Sequence, residues 1–351
     1  MSNYRSEDLS HYCASVFTAA GVAHERAHIL AESMVHASLR GVESHGVSRT
    51  TIYLKRITEG MINPNSELVI EQKSSSSALI DARNTIGQYA SLEASELAAE
   101  LASFHGVGCV GVRRSNHFGA ASFYTIPLAR RGFIAIAMSN APTSMALWGA
   151  AKPYTGTNPL SYSVPAGKYE PVTLDMATST VARGKIRRAW KQGETIPEGW
   201  AIDSDGNATV DPEKALEGFV LPFGGVKGSA IALFIEILAG VLTGAAFGPS
   251  LGSMYNDFTK EQGLGHFFLA IDPGKFFPSD VFSRRMETML EEIRALPASP
   301  GNERVFLPGE KEGLAEKERS LNGIPLEHDV EAELQDLGRR YEILFPKAIE
   351  N

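Results

Sequence analysis

Residues 101–112 have the sequence LASFHGVGCVGV, and from Gly106 to Gly111 they match the G-x-G-x-x-G dinucleotide fingerprint. That fingerprint binds a pyrophosphate only when a strand precedes the glycines and a helix begins at them. Here the order is reversed, because apolar residues at helical spacing (87–104) precede the glycines and a valine-rich run follows them. We therefore predict a helix that ends at a glycine C-cap, then a closely packed strand, and no Rossmann fold.

The pattern on either side of this stretch predicts an α+β chain with two parts. Short β-rich runs at 133–139, 160–164 and 172–176 have brief connections, which favours antiparallel pairing over repeated βαβ units. Helical patterns precede these runs and return from about residue 280. We expect a central α+β domain with a largely antiparallel sheet over residues 76–279. A helical domain would be built from both chain ends, residues 1–75 and 280–351.

The composition excludes several kinds of partner. The chain has 351 residues and a formal net charge of -8, which gives no long-range attraction to nucleic acid or to an anionic membrane. Cys13 and Cys109 belong to no Cys-x-x-Cys pair and no Cys/His cluster, so we expect neither a disulfide framework nor a metal site. The N-terminus lacks the pattern of a signal peptide, and we expect a cytoplasmic protein.

One apolar segment, residues 229–248, has about the length of a membrane span. Glu236 lies in its middle, the segment is rich in Ala and Gly, and no basic flank sets an orientation. We therefore predict a helix buried in the protein interior.

The stretch ESHGVSR, residues 43–49, combines an imidazole with a guanidinium four residues later. A histidine can give a proton to a carbonyl oxygen, and an arginine can hold a carboxylate with two parallel hydrogen bonds. We expect Ser44 to cap a helix, so that His45 lies near the first turn and Arg49 lies on the same face. The pair suits a 2-oxo acid, although a lone histidine is more often a structural hydrogen-bonding residue.

Three further stretches could bind an anion or a ribose. In SNHFGAASFY (115–124), backbone N–H groups around Gly119 and at the start of the next helix could hold a phosphate. Asp175 ends a strand and suits a helix cap as well as a ribose ligand. In PFGGVKGSA (222–230), Lys227 and Gly228 come just before the long apolar helix, where an anion could bind. The turn FLPGE (306–310) indicates no function by its residues alone.

In chain order, seven stretches resemble the malate/L-lactate dehydrogenase family, which is unrelated to the Rossmann-type lactate and malate dehydrogenases. They are ESHGVSR, SNHFGAASFY, TGTNPLSYSVP, LDMATSTVARGKI, GWAIDSDGNATVDP, PFGGVKGS and FLPGE. The family includes malate, sulfolactate and ureidoglycolate dehydrogenases, diketogulonate reductase and reductases of cyclic imino acids such as piperideine-2-carboxylate. The resemblance implies an oxidoreductase that uses NAD or NADP on a small 2-hydroxy or 2-oxo acid. It also implies a homodimer and a cofactor domain with a largely antiparallel sheet.

The resemblance implies roles for individual residues as well. His45, positioned with help from Ser44, would give the proton to the substrate oxygen, and His117 is the alternative for that task. The residues expected in the substrate pocket are Arg49, Thr157 and Arg183. The residues expected to contact the cofactor are His117, Phe118, Gly119, Ala120, Ala121, Asp175, Met176, Ala177, Lys227, Gly228, Pro308, Gly309 and Glu310.

One departure from the family bears on the substrate. The imino-acid reductases have an acid after Ala-Arg-Gly, where this chain has Lys185. A cation cannot accept an imidazole N–H, so we rank 2-hydroxy-acid chemistry above imine reduction. A catalytically silent cofactor-binding protein is the alternative from another class. NAD and NADP both stay open, and Arg113 or Arg114 could supply the cation that a 2'-phosphate needs.

Overall fold

The computed structural model describes residues 1–349; the last two residues of the predicted helical domain lie outside that range. The strands are β1 (Ser2–Tyr4), β2 (Val69–Ser74), β3 (Ser77–Asp81), β4 (Val107–Ser115), β5 (Ile134–Ser139), β6 (Met145–Ala146), β7 (Pro153–Thr155), β8 (Leu160–Ala166), β9 (Tyr169–Met176), β10 (Ala201–Ile202), β11 (Ala208–Thr209), β12 (Phe219–Val220), β13 (Leu264–Ile271) and β14 (Ile324–Leu326). The helices are α1 (Ser6–Ala19), α2 (His24–Leu39), α3 (Thr50–Thr58), α4 (Gly87–His105), α5 (Ser122–Arg130), α6 (Arg183–Gln192), α7 (Pro212–Glu217), α8 (Val226–Glu236), α9 (Ser279–Arg294), α10 (Glu310–Asn322) and α11 (His328–Tyr341).

Seven strands form the large sheet, in the order β2-β3-β4-β13-β5-β8-β9. The β3–β4 pair is parallel, and the other five pairs are antiparallel. The prediction of a largely antiparallel sheet is therefore confirmed. The central strand β13, which the sequence pattern did not single out, pairs with both β4 and β5 and joins the two halves of the sheet.

The helix, glycine and strand order around residue 106 is confirmed. α4 ends at His105, and Gly106 caps it in the left-handed region at φ +85°. β4 follows immediately. A Cβ at Gly108 would lie 2.0 Å from the carbonyl oxygen of Ala98, so the strand packs against α4 at a distance that only glycine allows. The fold is α+β and not a Rossmann fold.

Helices from the two chain ends share one hydrophobic core. Leu9 and Leu30 of α1 and α2 pack in the same cluster as Leu334 and Leu337 of α11, and β1 pairs with β14 beside them. α10, which the sequence pattern did not predict, contacts α2. α9 packs against β8 of the large sheet. The exact domain boundaries at residues 75 and 280 stay a prediction.

A second, five-stranded sheet has the order β11-β10-β12-β6-β7. It packs with α6 and α7 around a small core that includes Met145, Ile186 and Val220. The sequence pattern did not separate this layer from the large sheet, because its strands are only two or three residues long.

The apolar segment 229–248 forms most of α8 and a π-helical turn at Ile237–Val241. Its small residues Ala232 and Ala239 and its carboxylate Glu236 are buried. The prediction of a helix enclosed by protein is wrong for the opposite face, where large apolar side chains are exposed in the single chain. These are Val226, Leu233, Phe234, Ile237, Val241 and Leu242. Within residues 1–349, no helix has the length and apolar character that a membrane crossing needs.

Candidate active site

Three of the stretches singled out in the sequence leave the large sheet at one end. Ser115, where β4 ends, pairs with Leu264, where β13 begins. Leu160, where β8 begins, pairs with Met138 near the end of β5 and with Met176 at the end of β9. These strand ends lie at the same end of the sheet. The connections that carry residues 116–121, 155–159 and 177–182 therefore all leave the sheet there.

The segment that carries His45 and Arg49 is not a capped helix, so that part of the prediction is wrong. It forms two 3-10 turns, Glu43–His45 and Val47–Arg49, and α3 begins only at Thr50. Gly46 separates the turns in an extended conformation (φ -80°, ψ -163°). A Cβ at Gly46 would lie 2.2 Å from the hydroxyl oxygen of Ser38, which accepts the N–H of Val47 at 3.1 Å. This close approach to α2 keeps the helix from starting at Ser44.

Ser44 holds both functional side chains of the segment. Its hydroxyl lies 2.9 Å from Nδ1 of His45, and its carbonyl oxygen accepts the Nε–H of Arg49 at 2.5 Å. A further N–H of Arg49, on Nη1, donates to the hydroxyl of Tyr255 at 2.7 Å. The imidazole and the guanidinium are therefore oriented by one residue, and the remaining N–H groups of Arg49 are available to a ligand.

His117 lies against His45. The two rings are nearly parallel, at 19°, with their centroids 5.4 Å apart. Nδ1 of His117 lies 2.6 Å from the hydroxyl of Tyr53 and 3.4 Å from the main-chain nitrogen of Gly119. The main-chain N–H of His117 donates to the amide oxygen of Gln262 at 3.1 Å. Because an N–H and a phenol both face Nδ1, that nitrogen is the acceptor and the ring proton is on Nε2.

Sequence reasoning did not find Tyr53, Tyr255 or Gln262. Tyr53 lies in α3, one helical turn beyond Arg49, and burial raises its pKa, so the phenol keeps its proton. A spacing of four residues from Arg49 was a signal that could have found Tyr53. The other two come from the connection before β13, and no local pattern links them to His45.

Both imidazoles are neutral at neutral pH in the free protein. Burial, and then the nearby Arg49 cation, lower the pKa of His45 to about 4. Burial, and then His45 and Arg49, hold the pKa of His117 well below its usual range. A neutral ring can take a proton from a hydroxyl. An anion bound at Arg49 would offset the positive charge and favour the protonated ring.

Asp175 joins the end of β9 to the start of α5. Its Oδ2 accepts the N–H of Ser122, the first residue of α5, at 2.8 Å. His36 approaches the same serine, with its Nε2 3.2 Å from the hydroxyl. The expectation of a phosphate at this helix start is therefore disfavoured, because a carboxylate already takes the N–H and would repel a second anion. Oδ1 of Asp175 stays available to a neutral donor such as a ribose hydroxyl.

The turn with Pro308, Gly309 and Glu310 packs along β9, the outermost strand of the large sheet. The N–H of Thr173 in β9 donates to the carbonyl oxygen of Pro308 at 3.2 Å. Gly309 has φ +80°, and a Cβ there would lie 2.6 Å from the carbonyl oxygen of Thr173. The Glu310 carboxylate accepts the N–H of Leu307 at 3.0 Å and pairs with Arg304 at 2.7 Å. The turn is held against β9 by main-chain contacts.

An open cleft of about 670 Å³ lies beside this turn. Its lining includes Pro308, Gly309 and Glu310, together with the cations Arg130 and Lys317. A smaller hollow of about 470 Å³ shares several of these residues and reaches Thr173, whose side chain is on the same face of β9 as that of Asp175. Neither hollow is lined by His45, Arg49 or His117. The cleft therefore suits an extended ligand that follows the edge strand, and the imidazoles lie apart from it.

The other predicted site residues are distributed around these two places. The main-chain oxygen of Thr157 accepts the N–H of Thr178 at 2.8 Å, which joins their two connections. Arg183 begins α6, and its guanidinium donates to main-chain oxygens of Leu216 and Gly218 instead of facing open space. Met176 pairs with Leu160 at the sheet edge, next to Ala177.

The remaining predicted cofactor contacts lie in the loop after β4 and at the start of α8. The ring of Phe118 is buried and stacks on His266, 4.7 Å away, so only its main chain could face a ligand. Ala120 and Ala121 are buried too. Lys227 is exposed, and it lies with Gly228 inside the first turn of α8 and not before the helix. Among residues 1–349, no group of three or more His, Cys, Asp or Glu side chains could hold a metal ion.

Arg113 and Arg114 lie on the far side of the sheet from the cleft. Both approach the Asp81 carboxylate, at 3.5 and 3.3 Å. They belong to β4, which three strands separate from β9. At about 4.8 Å per strand, that is a distance of about 19 Å. If the cofactor follows β9, neither arginine is placed to meet its 2'-phosphate.

Solved structures with this architecture are dehydrogenases and reductases. Sulfolactate dehydrogenase from Methanocaldococcus jannaschii superposes with a TM-score of 0.93 at 34% identity, over 100% of both chains. Delta1-piperideine-2-carboxylate reductase from Pseudomonas syringae pv. tomato superposes with a TM-score of 0.87 at 30% identity, over 96% of this chain and 100% of the other. The chain thus shares its fold with two oxidoreductases.

The family model for malate/L-lactate dehydrogenase matches residues 4–335, and the chain belongs to that family. Malate/(S)-sulfolactate dehydrogenase of Methanothermus fervidus is 38% identical over 92% of this chain and 93% of the relative. Ureidoglycolate dehydrogenase (NAD(+)) of Escherichia coli K12 is 35% identical over 89% and 88%. (2R)-3-Sulfolactate dehydrogenase (NADP(+)) of Chromohalobacter salexigens is 36% identical over 86% and 88%. The chain is a dehydrogenase that acts on hydroxy acids, and a nicotinamide cofactor follows from that class.

Proposed function

We propose that this enzyme transfers a hydride between NAD or NADP and a small 2-hydroxy or 2-oxo acid. The observation that carries the proposal is the corner where His45 and His117 stack beside Arg49, with both His45 and Arg49 held by Ser44. A neutral acid–base pair next to a fixed cation is what a substrate with a carboxylate beside a hydroxyl or carbonyl needs. The names of the malate and sulfolactate dehydrogenase relatives support the same substrate class.

Arg49 would bind the substrate carboxylate. Its Nε–H is already donated to Ser44, and one Nη1–H is donated to Tyr255, so the guanidinium cannot rotate freely. A carboxylate held by two N–H groups has a defined plane, which sets the position of the adjacent carbon. Lysine could not replace it, because an ammonium has no such pair of parallel donors.

His45 would move the proton. Its neutral ring takes the proton of a substrate hydroxyl during oxidation, and its protonated ring returns one during reduction. The hydroxyl of Ser44 can accept the Nδ1–H of His45 in both the neutral and the protonated ring, which leaves Nε2 to take and return the proton. Nδ1 of His117 already faces two donors, so a second proton there would break a bond. We therefore prefer His45 and keep His117 as the alternative.

The cofactor would contact the residues that the family resemblance indicates. When bound, the nicotinamide ring supplies or accepts the hydride. Oδ1 of Asp175 would accept a ribose hydroxyl, and Pro308 to Glu310 would border the cleft beside β9. The exposed Lys227 would meet a phosphate. The cleft volume is in the range of small-molecule sites, and its cations suit a phosphorylated ligand.

We also expect the enzyme to be a homodimer in the cytoplasm. The exposed apolar face of α8 and its π turn, around Phe234 and Leu242, is the surface on which a second copy would pack. Sedimentation of the wild type and of Phe234→Glu tests this. A wild-type dimer that the charged substitution converts to a monomer supports the proposal, and a monomeric wild type contradicts it.

The assay that tests the main proposal offers pyruvate, oxaloacetate and piperideine-2-carboxylate to the enzyme, each with NADH and with NADPH. We expect faster reduction of a 2-oxo acid than of the cyclic imine. The imine reductase is the second candidate, because a structure of that activity superposes over nearly the whole chain. Faster reduction of the imine would establish it instead. Cofactor binding with no turnover of any of the three compounds would argue against both activities.

A further inference from the structure

The connection before β13, residues 252–262, touches both sides of the candidate active site. The Tyr255 hydroxyl accepts an N–H of Arg49 at 2.7 Å, and the Gln262 amide oxygen accepts the main-chain N–H of His117 at 3.1 Å. Gln262 is buried, whereas about half of Tyr255 is exposed. This loop therefore orients the guanidinium of Arg49 and holds the main chain of His117, the alternative proton donor.

Arg56 fastens this loop to α3. Its side chain is fully buried, and Nη1 donates to the carbonyl oxygens of Ser253, Met254 and Asp257 at 2.9, 3.2 and 3.2 Å. Nη2 donates to the carbonyl oxygen of Lys260 at 3.4 Å. A buried guanidinium must keep its hydrogen bonds, so it holds these four carbonyl groups in one arrangement. The loop conformation that presents Tyr255 depends on this residue.

The existing hydrogen bonds of Arg49 limit how it can bind a carboxylate. A guanidinium can offer Nε–H with one Nη–H, or one N–H from each Nη. The first pair is not free, because Ser44 accepts the Nε–H at 2.5 Å. Tyr255 takes one of the two N–H groups of Nη1, and its ring lies 5.5 Å from the guanidinium carbon. The second N–H of Nη1 and the two N–H groups of Nη2 are what remain for a carboxylate.

We propose that Tyr255 is a positioning residue for substrate binding, which holds Arg49 in the orientation from which its remaining N–H groups meet the substrate carboxylate. The proposal rests on the proposed function, in which Arg49 binds that carboxylate. Tyr255 itself does not touch the reacting atoms. Its effect is to remove the rotational freedom that Arg49 would otherwise lose on binding, so it acts on affinity more than on the chemical step.

The test compares the wild type with Tyr255→Phe, which keeps the ring and removes the hydroxyl. We expect KM for the 2-oxo acid to rise about tenfold, because Arg49 then loses more rotational freedom when the substrate binds. Turnover at saturation should change less than about threefold, and KM for the reduced cofactor should not change. The dissociation constant of oxamate, a 2-oxo-acid isostere that is not reduced, should rise by the same factor as KM. Arg56→Lys should reproduce the rise, because one ammonium cannot reach four carbonyl groups.

Tyr341→Phe, at the end of α11, is the matched control and should leave all four constants unchanged. An unchanged or lower KM in Tyr255→Phe would overturn the proposal, because Tyr255 would then compete with the substrate for Arg49. A fall in turnover without a rise in KM would overturn it too. If the wild type binds oxamate but reduces no 2-oxo acid, the proposed function fails, and the oxamate constants still decide the role of Tyr255.

Discussion

The corner that holds His45, Arg49, Tyr53 and His117 consists of side chains that bond to one another, whereas the edge formed by β9 and residues 308–310 is held by main chain. In the corner, burial and one cation lower the pKa values of two imidazoles. At the edge, the cleft is open and its charged groups face water. Proton transfer depends on side-chain surroundings that shift a pKa, while an extended ligand can be held by a turn and a strand. Substitutions in the corner should therefore affect turnover, and substitutions at the edge should affect cofactor affinity.

The largest expected effect belongs to the corner. His45→Asn removes the group that we propose to move the proton, and turnover should fall by roughly 10²- to 10⁴-fold. The turnover of His117→Asn, measured in the same assay, should fall less than that of His45→Asn. Single-turnover rates of 2-oxo-acid reduction measure both. Near-normal turnover in His45→Asn with a large loss in His117→Asn would move the role to His117.

The pH dependence of the rates should show how far the corner lowers the pKa of His45. With a pKa of about 4 in the free enzyme, His45 is neutral above that pH, and kcat/KM for oxidation should be flat from pH 5 to pH 8. Reduction needs the protonated ring, so its kcat/KM should fall about tenfold for each pH unit over the same range. Initial rates in both directions test this. A break near pH 6.5 in either profile would mean that His45 is not shielded.

Gly309→Ala sharpens the comparison at the edge. The left-handed φ of +80° and the contact of a Cβ with Thr173 would push the turn away from β9. We expect KM for the cofactor to rise about tenfold, while turnover at saturating cofactor stays close to that of the wild type. Gly301→Ala is the control, since it has a similar φ of +88° and no atom within 4 Å of the added Cβ. Equal cofactor constants in the two variants would show that the turn does not bind the cofactor.

The smallest effect concerns stability beneath the corner. Burial lowers the pKa of His266 to about 3, and its ring lies between the hydroxyls of Ser115 and Ser139, 2.8 Å from each. Because the unfolded chain takes up this proton first, His266 alone should lower the free energy of unfolding by up to about 1.4 kcal/mol per pH unit below pH 6.5, in addition to what His45 and His117 contribute. Urea denaturation at pH 7 and pH 5 should show a smaller fall in His266→Gln. His11→Gln changes an exposed histidine and is the control; its free energy of unfolding should fall as much as that of the wild type. Equal falls in the wild type and in His266→Gln would contradict the prediction.

How much could be predicted differs between the fold and the site. The order of helix, glycines and strand around Gly106 is local, so it indicated the fold class correctly. The break at Gly46 was missed because its cause, the Ser38 hydroxyl, lies on another helix. The sequence did not predict the exposed face of α8, because apolar residues lie on all sides of that helix. Periodicity then does not distinguish a buried face from an exposed one.

The sequence by itself determined the chemistry that is available: an imidazole and a guanidinium four residues apart, a family, and a sheet without a Rossmann fingerprint. The tertiary structure decided which groups act together. Tyr53 meets His117 across 64 positions of chain, and Arg49 meets Tyr255 across 206. Such contacts depend on how α3 packs against the loops after β4 and before β13, and local periodicity does not carry that information because it describes residues within one element.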